Sequence, residues 1–417
     1  MKINLCQTCC IFVLHNINLY SIKFNIIMFF PSAVICNTRT SNKTPDDTKQ
    51  SNPIYIFFTD PHPYSKSNML QRKIKYKKKM CFEAGLVNKS AAAFVQLPAL
   101  DRSYRLRCLP YFMMLGFAKC GSTDFQFRSV HNKYMVKGFT KEYYWWDQFR
   151  FTANASLSDY SDLFDSSLPS LLKLKKDNEE YYPGVTGEMT TITMNSMAHW
   201  RADPRNAGLK EPKYLTPHDL HGILPNVKLI VLMRNPVSRL YSHYNMWSPY
   251  RHRPVTPEDF HKRVLGSLAW WRNCTSILPV RGCLYGSPPE VAPVEHELSS
   301  WWPEEYERSG VFRSGMYYLF LTDWFEVFSR EQFLLIQTEE YGANKVHTLN
   351  DVVYPFLNIP QVTGKEKEKL ESMGQVFKQT YEPMLNETKE ILTEFYQPYN
   401  NKLAELLGDD KWKWLEE

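Results

Sequence analysis

The 417-residue sequence has no strong charge of either sign, no cluster of metal-ligating side chains, no internal repeat and no clean membrane span. Each absence narrows the reading. A net charge of +6 permits an anionic substrate but does not single out nucleic acid, and no nucleic-acid partner is expected. Without a grouped Cys, His, Asp and Glu set, no metal is expected. Residues 10–36 are apolar, but His15, Asn16, Asn18, Lys23 and Asn25 interrupt them. A spanning helix needs about 20 mostly apolar residues with almost no charge. The segment 1–36 therefore reads as a degraded signal-anchor, a mispredicted first exon, or neither.

One lysine is also missing. Gly116 to Asp124 reads G-F-A-K-C-G-S-T-D, close to the phosphate loop G-x-x-x-x-G-K-[ST]. Gly116 and Gly121 keep the spacing, yet Ser122 stands where the lysine belongs. The only lysine of the loop, Lys119, precedes the second glycine.

What is present suits a large folded domain with an appendage. Hydrophobic residues make up 43% and charged residues 23%, so most of the chain should fold. Aromatics at 15% suit a large core, and equally a groove for sugars or a planar base. Residues 37–95 are polar and include the basic run 71–79, Q-R-K-I-K-Y-K-K-K; they read as a stem or flexible linker. The compact part is expected over 100–417. Among nine cysteines, Cys274 and Cys283 flank a short segment that fits a disulfide hairpin in an oxidising compartment; two unrelated buried thiols are the alternative. Sequons stand at Asn42, Asn88, Asn154, Asn273 and Asn386, and support a secretory route only weakly.

Residues 109–116 (L-P-Y-F-M-M-L-G) form a continuous apolar run, the pattern of a buried parallel strand. The glycine loop follows, and then Phe127, Val130 and Tyr134 recur at helical spacing. Unpaired N–H groups and the dipole at a helix N-terminus favour an anion there. A second unit repeats the plan. Residues 227–233 (V-K-L-I-V-L-M) are another buried strand, and Asn235 and Pro236 suit the N-cap and first position of a following helix. Leu240, Tyr244 and Trp247 mark its buried stripe. Arg234, at the strand's carboxyl end, and Ser242, two turns into the helix, are candidates for a phosphate, because open α/β sheets bind ligands at that edge. A third central strand is expected at 333–337, and two helices over 384–407 with Pro398 starting the second.

Two phosphate stations on one sheet suggest a nucleotide with phosphates at both ends. F-A-K-C-G-S-T-D resembles the 5′-phosphosulfate loop of sulfotransferases, and R-N-P-V-S-R-L-Y-S-H-Y resembles their 3′-phosphate motif. From about residue 105 onward the chain most resembles carbohydrate sulfotransferases acting on N-acetylgalactosamine 4-sulfate at O-6. The supporting stretches are K-E-Y-Y-W-W (141–146), G-E-M-T-T-I-T-M (187–194), the Cys274/Cys283 hairpin, 314–328 and 395–407. The resemblance implies an α/β, P-loop-like three-layer sandwich, with a central parallel sheet flanked by helices. It implies 3′-phosphoadenosine 5′-phosphosulfate (PAPS) as donor and a sulfated glycosaminoglycan, chondroitin or dermatan sulfate, as acceptor. It also implies a single-pass type II protein of the Golgi lumen, glycosylated at Asn154, Asn273 and Asn386.

The displaced lysine then has a physical reason. A kinase loop holds a triphosphate with Mg²⁺. Sulfuryl transfer leaves a single phosphate, and the useful cation is one beside the bridging oxygen where charge develops. Lys119 is expected there, with Cys120, Gly121, Ser122, Thr123 and Asp124 around the 5′-phosphate. By resemblance Glu142 is the base for the acceptor hydroxyl and Glu188 a second catalytic candidate. Arg313, Ser314 and Gly315 are expected to close over the nucleotide.

Two departures stand out. Tyr143-Tyr144 replaces Pro-His before the tryptophans, and Met189-Thr190-Thr191 stands where other glycosaminoglycan sulfotransferases carry Lys-Thr-Pro, which puts more weight on Lys119. Trp145, Trp146 and Trp200, and the pairs Trp270-Trp271 and Trp301-Trp302, suit either sugar stacking or core. Arg201, Arg205 and Lys210 suit either acceptor anions or a solvated face. A catalytically silent glycan-binding relative and a P-loop nucleotide kinase are the competing classes.

Overall fold

A computed structural model of the chain describes residues 80–84, 94–96, 103–138, 141–152, 155–174, 183–195, 200–247, 255–286, 310–374 and 380–415. The apolar N-terminus, the basic run, Asn42, Asn88, Asn154 and Trp301-Trp302 lie outside the described residues. Strands β1 (Met80–Ala84), β2 (Phe94–Gln96) and β3 (Ser103–Leu109) form an antiparallel sheet in the order β1-β3-β2. The end of the segment read as a linker thus takes part in a sheet, and paired structure begins ahead of residue 100. Cys108 on β3 is buried and disulfide-bonded.

The central sheet holds β4 (Phe112–Gly116), β5 (Gly187–Met189), β6 (Lys228–Met233) and β7 (Phe333–Gln337) in the order β5-β4-β6-β7, all parallel. This is the expected α/β arrangement, a parallel sheet flanked by helices. Every residue of β4 is buried, as are Leu229–Met233 of β6. A parallel strand covered on both faces needs apolar side chains at successive positions, which is why F-M-M-L and L-I-V-L-M read as unbroken runs. From β4 the chain steps to β5 on one side; from β6 it steps to β7 on the other. The carboxyl ends of β4 and β6 therefore flank the topological switch point, where such sheets form their binding crevice.

Helix α1 (Ser122–Ser129) leaves β4 through Gly121, whose φ of 81° is a left-handed conformation that glycine adopts without strain. Its packing differs from the expected stripe. Phe127 is 45% exposed, and the buried face carries Phe125 and the Asp124–Arg128 ion pair instead. The helix ends at Ser129, before the apolar spacing can set its orientation. Helices α2 (Leu157–Asp162) and α3 (Thr216–Ile223) precede β6. Helix α4 (Pro236–Trp247) follows it, capped by Asn235, whose Oδ1 accepts from the N–H groups of Val237 (3.0 Å) and Ser238 (3.3 Å). Leu240 and Tyr244 are buried on it.

Next come α5 (Pro257–Ile277), α6 (Val280–Leu284), α7 (Tyr317–Phe325), α8 (Thr338–Ala343) and α9 (Asn386–Leu407). Helix α9 corrects the expectation of two helices: it runs unbroken through Pro398. An interior proline costs about 3 kcal/mol through a lost hydrogen bond and a ring clash. Thr388, Leu392 and Tyr396 before it and Asn400, Leu403 and Ala404 after it form one buried stripe, and that shared burial holds both halves to one axis. Among the described residues no helix is long and apolar enough to cross a membrane.

Cys274 and Cys283 are joined, linking the end of α5 to α6 across nine positions. Loop-closure entropy for such a ring is worth about 2–3 kcal/mol. Replacing both cysteines with alanine should lower the unfolding free energy by that amount in denaturant titration; unchanged stability would mean that local structure alone holds the hairpin.

Candidate active site

The loop after β4 and the turn after β6 meet at the switch point. Arg234 Nη1 donates to the Lys119 carbonyl at 3.4 Å, and the Arg234 carbonyl accepts from Tyr317 Oη at 2.7 Å. The Thr338 hydroxyl lies 3.0 Å from both the Cys120 and the Met233 carbonyls, so one side chain at the start of α8 fixes both loops. Lys119 itself has φ of 71° and rests its Nζ against Met246 Sδ at 3.2 Å. Burial, and then the charges of Arg234 and Lys141, push its ammonium down to about 8. Burial pushes the Cys120 thiol up to about 11, so at neutral pH it is a protonated packing group and its loop contribution is its backbone. Ser122 and Thr123 open α1, where the first N–H groups have no helical partner. Both hydroxyls are met by Lys141 Nζ, at 2.9 Å and 3.1 Å. Lys119, Lys141, Arg234, two hydroxyls and a helix N-terminus form a donor set of the chemistry that a phosphate or sulfate requires.

The acids sit beside it. Glu142 has φ of 63°, and its backbone N–H donates to the Met189 carbonyl at 3.0 Å, clipping this segment to the end of β5. Its carboxylate accepts from the Thr191 backbone N–H and hydroxyl, each at 2.9 Å, and lies 3.3 Å from Lys141 Nζ. Lys119, Glu142 and Tyr144 all hold left-handed backbone that costs non-glycine residues of order 1 kcal/mol each, a strain that concentrates at functional sites. Glu188, on β5, is fully buried. It accepts from Tyr160 Oη of α2 and from Thr190 Oγ1 at 2.9 Å, and Thr190 Oγ1 accepts the Tyr143 N–H at 3.1 Å. Burial raises Glu188 to about 7, outweighing its two hydrogen bonds. Asp147, also buried, is pushed well above the carboxylate range by burial and by Glu188; its Oδ2 accepts from Thr193 Oγ1 at 3.1 Å.

Other expected donor residues take structural partners. Asp124 receives Arg128 Nε at 3.0 Å and Tyr341 Oη at 2.7 Å, which anchors α1 to α8. Ser242 is buried with its Oγ 3.2 Å from Tyr381 Oη. Arg313 donates to the Leu284 carbonyl at 2.7 Å and to that of Cys283, and its guanidinium stacks over Trp270. It ties the disulfide hairpin to the segment before α7. The Ser314 hydroxyl accepts from Asn195 Nδ2 at 2.7 Å and donates to the Gly310 carbonyl at 2.8 Å. A Cβ at Gly315 would lie 2.8 Å from the Tyr396 ring and 3.0 Å from Pro236, so this glycine permits the contact of α4 with α9.

Trp145 and Trp146 are buried against each other and Tyr160, and Trp200 donates to the Tyr285 carbonyl at 2.9 Å; all three are core. Trp271 is likewise buried. Arg205 pairs with Asp203 and Asp219, whereas Arg201 and Lys210 are exposed. Tyr143 packs edge-on against Phe164 and donates to the Leu163 carbonyl at 3.2 Å. Asn273 and Asn386 are exposed on α5 and α9; Thr388 of the second sequon is buried, its Oγ1 2.8 Å from His261 Nδ1.

The motifs do not single out Lys141, Tyr160 or Asp147, and they name Thr191 only as a departure, without its bonds to Glu142. Lys141 was in view as the neighbour of Glu142, but only the fold brings it to Ser122. The Glu188 environment sets a testable slope. Its folded pKa of about 7 stands above the ordinary 4.5, so between those values the folded chain holds a proton that the unfolded chain has released. The stabilisation is complete below the lower value and lost as pH rises through the upper one. Unfolding free energy should fall across that window by up to about 1.4 kcal/mol per pH unit from this group. Glu188→Gln should remove one proton's share of the slope in denaturant titrations at pH 5, 6 and 7; an unchanged slope would refute the assignment.

The family model described as a sulfotransferase domain matches residues 112–397. Carbohydrate sulfotransferase 15 of Homo sapiens is 29% identical over 336 residues, covering 76% of this chain and 56% of that protein. The Mus musculus protein of the same name is 30% identical over 333 residues, covering 75% and 56%. A carbohydrate sulfotransferase 15 of Nototodarus sloanii is 34% identical over 153 residues, covering 35% of this chain and 86% of that protein. Among solved structures, a sulfotransferase from Alicyclobacillus acidocaldarius aligns with a TM-score of 0.47 and 16% identity, over 73% of this chain and 99% of that one. The chain spans about half the length of the mammalian relatives it matches. With the family's domain matched from β4 into α9, around the loops that gather Lys119 and Arg234, this chain belongs to the sulfotransferase domain family.

Proposed function

We propose that the chain transfers the sulfuryl group of PAPS to a hydroxyl of a sulfated glycosaminoglycan, O-6 of N-acetylgalactosamine 4-sulfate in chondroitin or dermatan sulfate. The observation that carries this reading is the cationic mouth between β4 and β6, with a hydrogen-bonded carboxylate, Glu142, beside it. PAPS supplies an activated sulfuryl group whose leaving group is a single phosphate. Gly121, Ser122 and Thr123 would hold that phosphate, Arg234 and Ser242 would serve the 3′-phosphate, and Lys119 would offset charge on the bridging oxygen as its bond to sulfur breaks. Glu142 would take the acceptor proton as the new oxygen–sulfur bond forms, so the proton rests on the carboxylate and the electron pair leaves with the nucleotide. The acceptor class rests on similarity to carbohydrate sulfotransferases. The Cys274–Cys283 disulfide supports an oxidising, luminal placement, which we assign to the Golgi.

The test is transfer from labelled PAPS to chondroitin, dermatan and heparan sulfates by the full chain, with chelator present. Transfer should persist in chelator, yield 4,6-disulfated galactosamine, and fall about 100- to 1,000-fold in Lys119→Ala. Retention of glycan with no transfer by the wild type would instead favour a silent glycan-binding protein. The Lys119 environment adds a pH dependence. An ammonium lowered to about 8 loses its charge above that pH, so kcat/KM for PAPS should decline on that side. Loss of the alkaline limb in Lys119→Arg would assign it to this residue; persistence of the limb would assign it elsewhere.

A further inference from the structure

Lys141 has a place in this site that the two donor motifs do not account for. Its Nζ contacts Ser122 Oγ and Thr123 Oγ1 at 2.9 Å and 3.1 Å and Glu142 Oε1 at 3.3 Å, with its side chain 19% exposed. Those hydroxyls lie on the first turn of α1, an end that the helix dipole makes favourable for anions and unfavourable for a cation. The charges of Lys119 and Arg234 are close enough to matter, since Lys141 and Arg234 each lower Lys119. This third positive charge is set against both the dipole and two other cations, with the half-buried Glu142 beside it. An anion seated on Ser122 and Thr123 would satisfy all of these groups at once.

Resting on the PAPS reading above, we propose that Lys141 is a second donor-binding lysine, reaching the phosphosulfate through the first turn of α1 from a segment separate from the loop that carries Lys119. It supplies the cation missing at position 122 and at the Met189-Thr190-Thr191 segment, from a different part of the chain. Thr190 and Thr191 are free for the task they show here, which is to hold Glu188 and Glu142. Lys141 spans from Glu142 to the donor's hydroxyl partners, and so carries the donor's register to the base.

Calorimetric titration with 3′-phosphoadenosine 5′-phosphate, the desulfated donor, tests this on the full chain. Lys141→Met should weaken binding about 10- to 100-fold, as loss of a charge-assisted hydrogen bond implies. Lys141→Gln, which keeps an N–H donor without charge, should weaken it comparably, and Lys141→Arg should restore most of it. In steady state the KM for PAPS should rise in the neutral variants while glycan retention on an immobilised column stays unchanged. Melting temperatures equal to the wild type would separate the effect from misfolding. If the wild type binds no desulfated donor, the PAPS reading itself fails. If it binds and both neutral variants bind as tightly, Lys141 is a structural lysine and the proposal is overturned while that reading stands.

Discussion

The mouth of the sheet depends on one electrostatic constraint, the confinement of Lys119, Lys141 and Arg234 at the switch point between β4 and β6. Mutual repulsion and burial of such a group work against folding, and the surrounding contacts can be understood as what holds it together. Arg234 is held from both sides, by its donation to the Lys119 carbonyl and by Tyr317 on its own carbonyl. Thr338 joins the two loops through their backbone, so that side-chain charge is not needed to keep them in register. Lys119 is left with a thioether neighbour and a lowered pKa, which leaves its positive charge poorly satisfied within the protein. A site arranged in this way is preorganised for polyanions, because the cost of gathering the charges is met by folding rather than by binding.

A second layer, made of acids, lies behind the cations. Glu188 and Asp147 are both buried; Glu188 raises the proton affinity of Asp147, and Glu142 raises that of Glu188. Tyr160, Thr190 and Thr193 hydrogen-bond them, so that this layer is a packed polar core rather than a solvated cluster. Glu142 stands at its edge, half-buried, with Thr191 fixing both carboxylate oxygens. The short strand β5 sets the depth of one carboxyl group, and the turn that follows it sets the orientation of the other.

Much of the scaffold was legible in the sequence for a physical reason. Strands β4, β6 and β7 are buried in a parallel sheet, and burial on both faces writes a continuous apolar run. Asn235-Pro236 announced α4 through local backbone chemistry alone. Strand β5 was not legible, because its three residues carry a glutamate at the centre, whose burial depends on Tyr160 and Thr190 from other segments. Pro398 misled because a local rule met a tertiary stripe that outweighs it. The donor loop residues were legible as a motif, whereas Lys141 reaches the loop only in three dimensions. Arg313 and Asp124 were read as donor groups from their place in motifs, but their hydrogen bonds are to carbonyls and to neighbouring helices.

The contact of Tyr396 with Gly315 and Phe312 has a consequence for how the molecule is made. Tyr396 Oη donates to the Phe312 carbonyl at 2.7 Å, and its ring covers the glycine that faces Pro236, the first residue of α4. Helix α9 follows every strand of the sheet in chain order. During vectorial synthesis the sheet can assemble first, but the start of the helix behind Arg234 stays uncovered until α9 emerges. A nascent chain stalled before α9 would therefore carry the loops after β4 and β6 and still lack the packing that steadies one of them, which ties the order of the Arg234 turn to the emergence of α9.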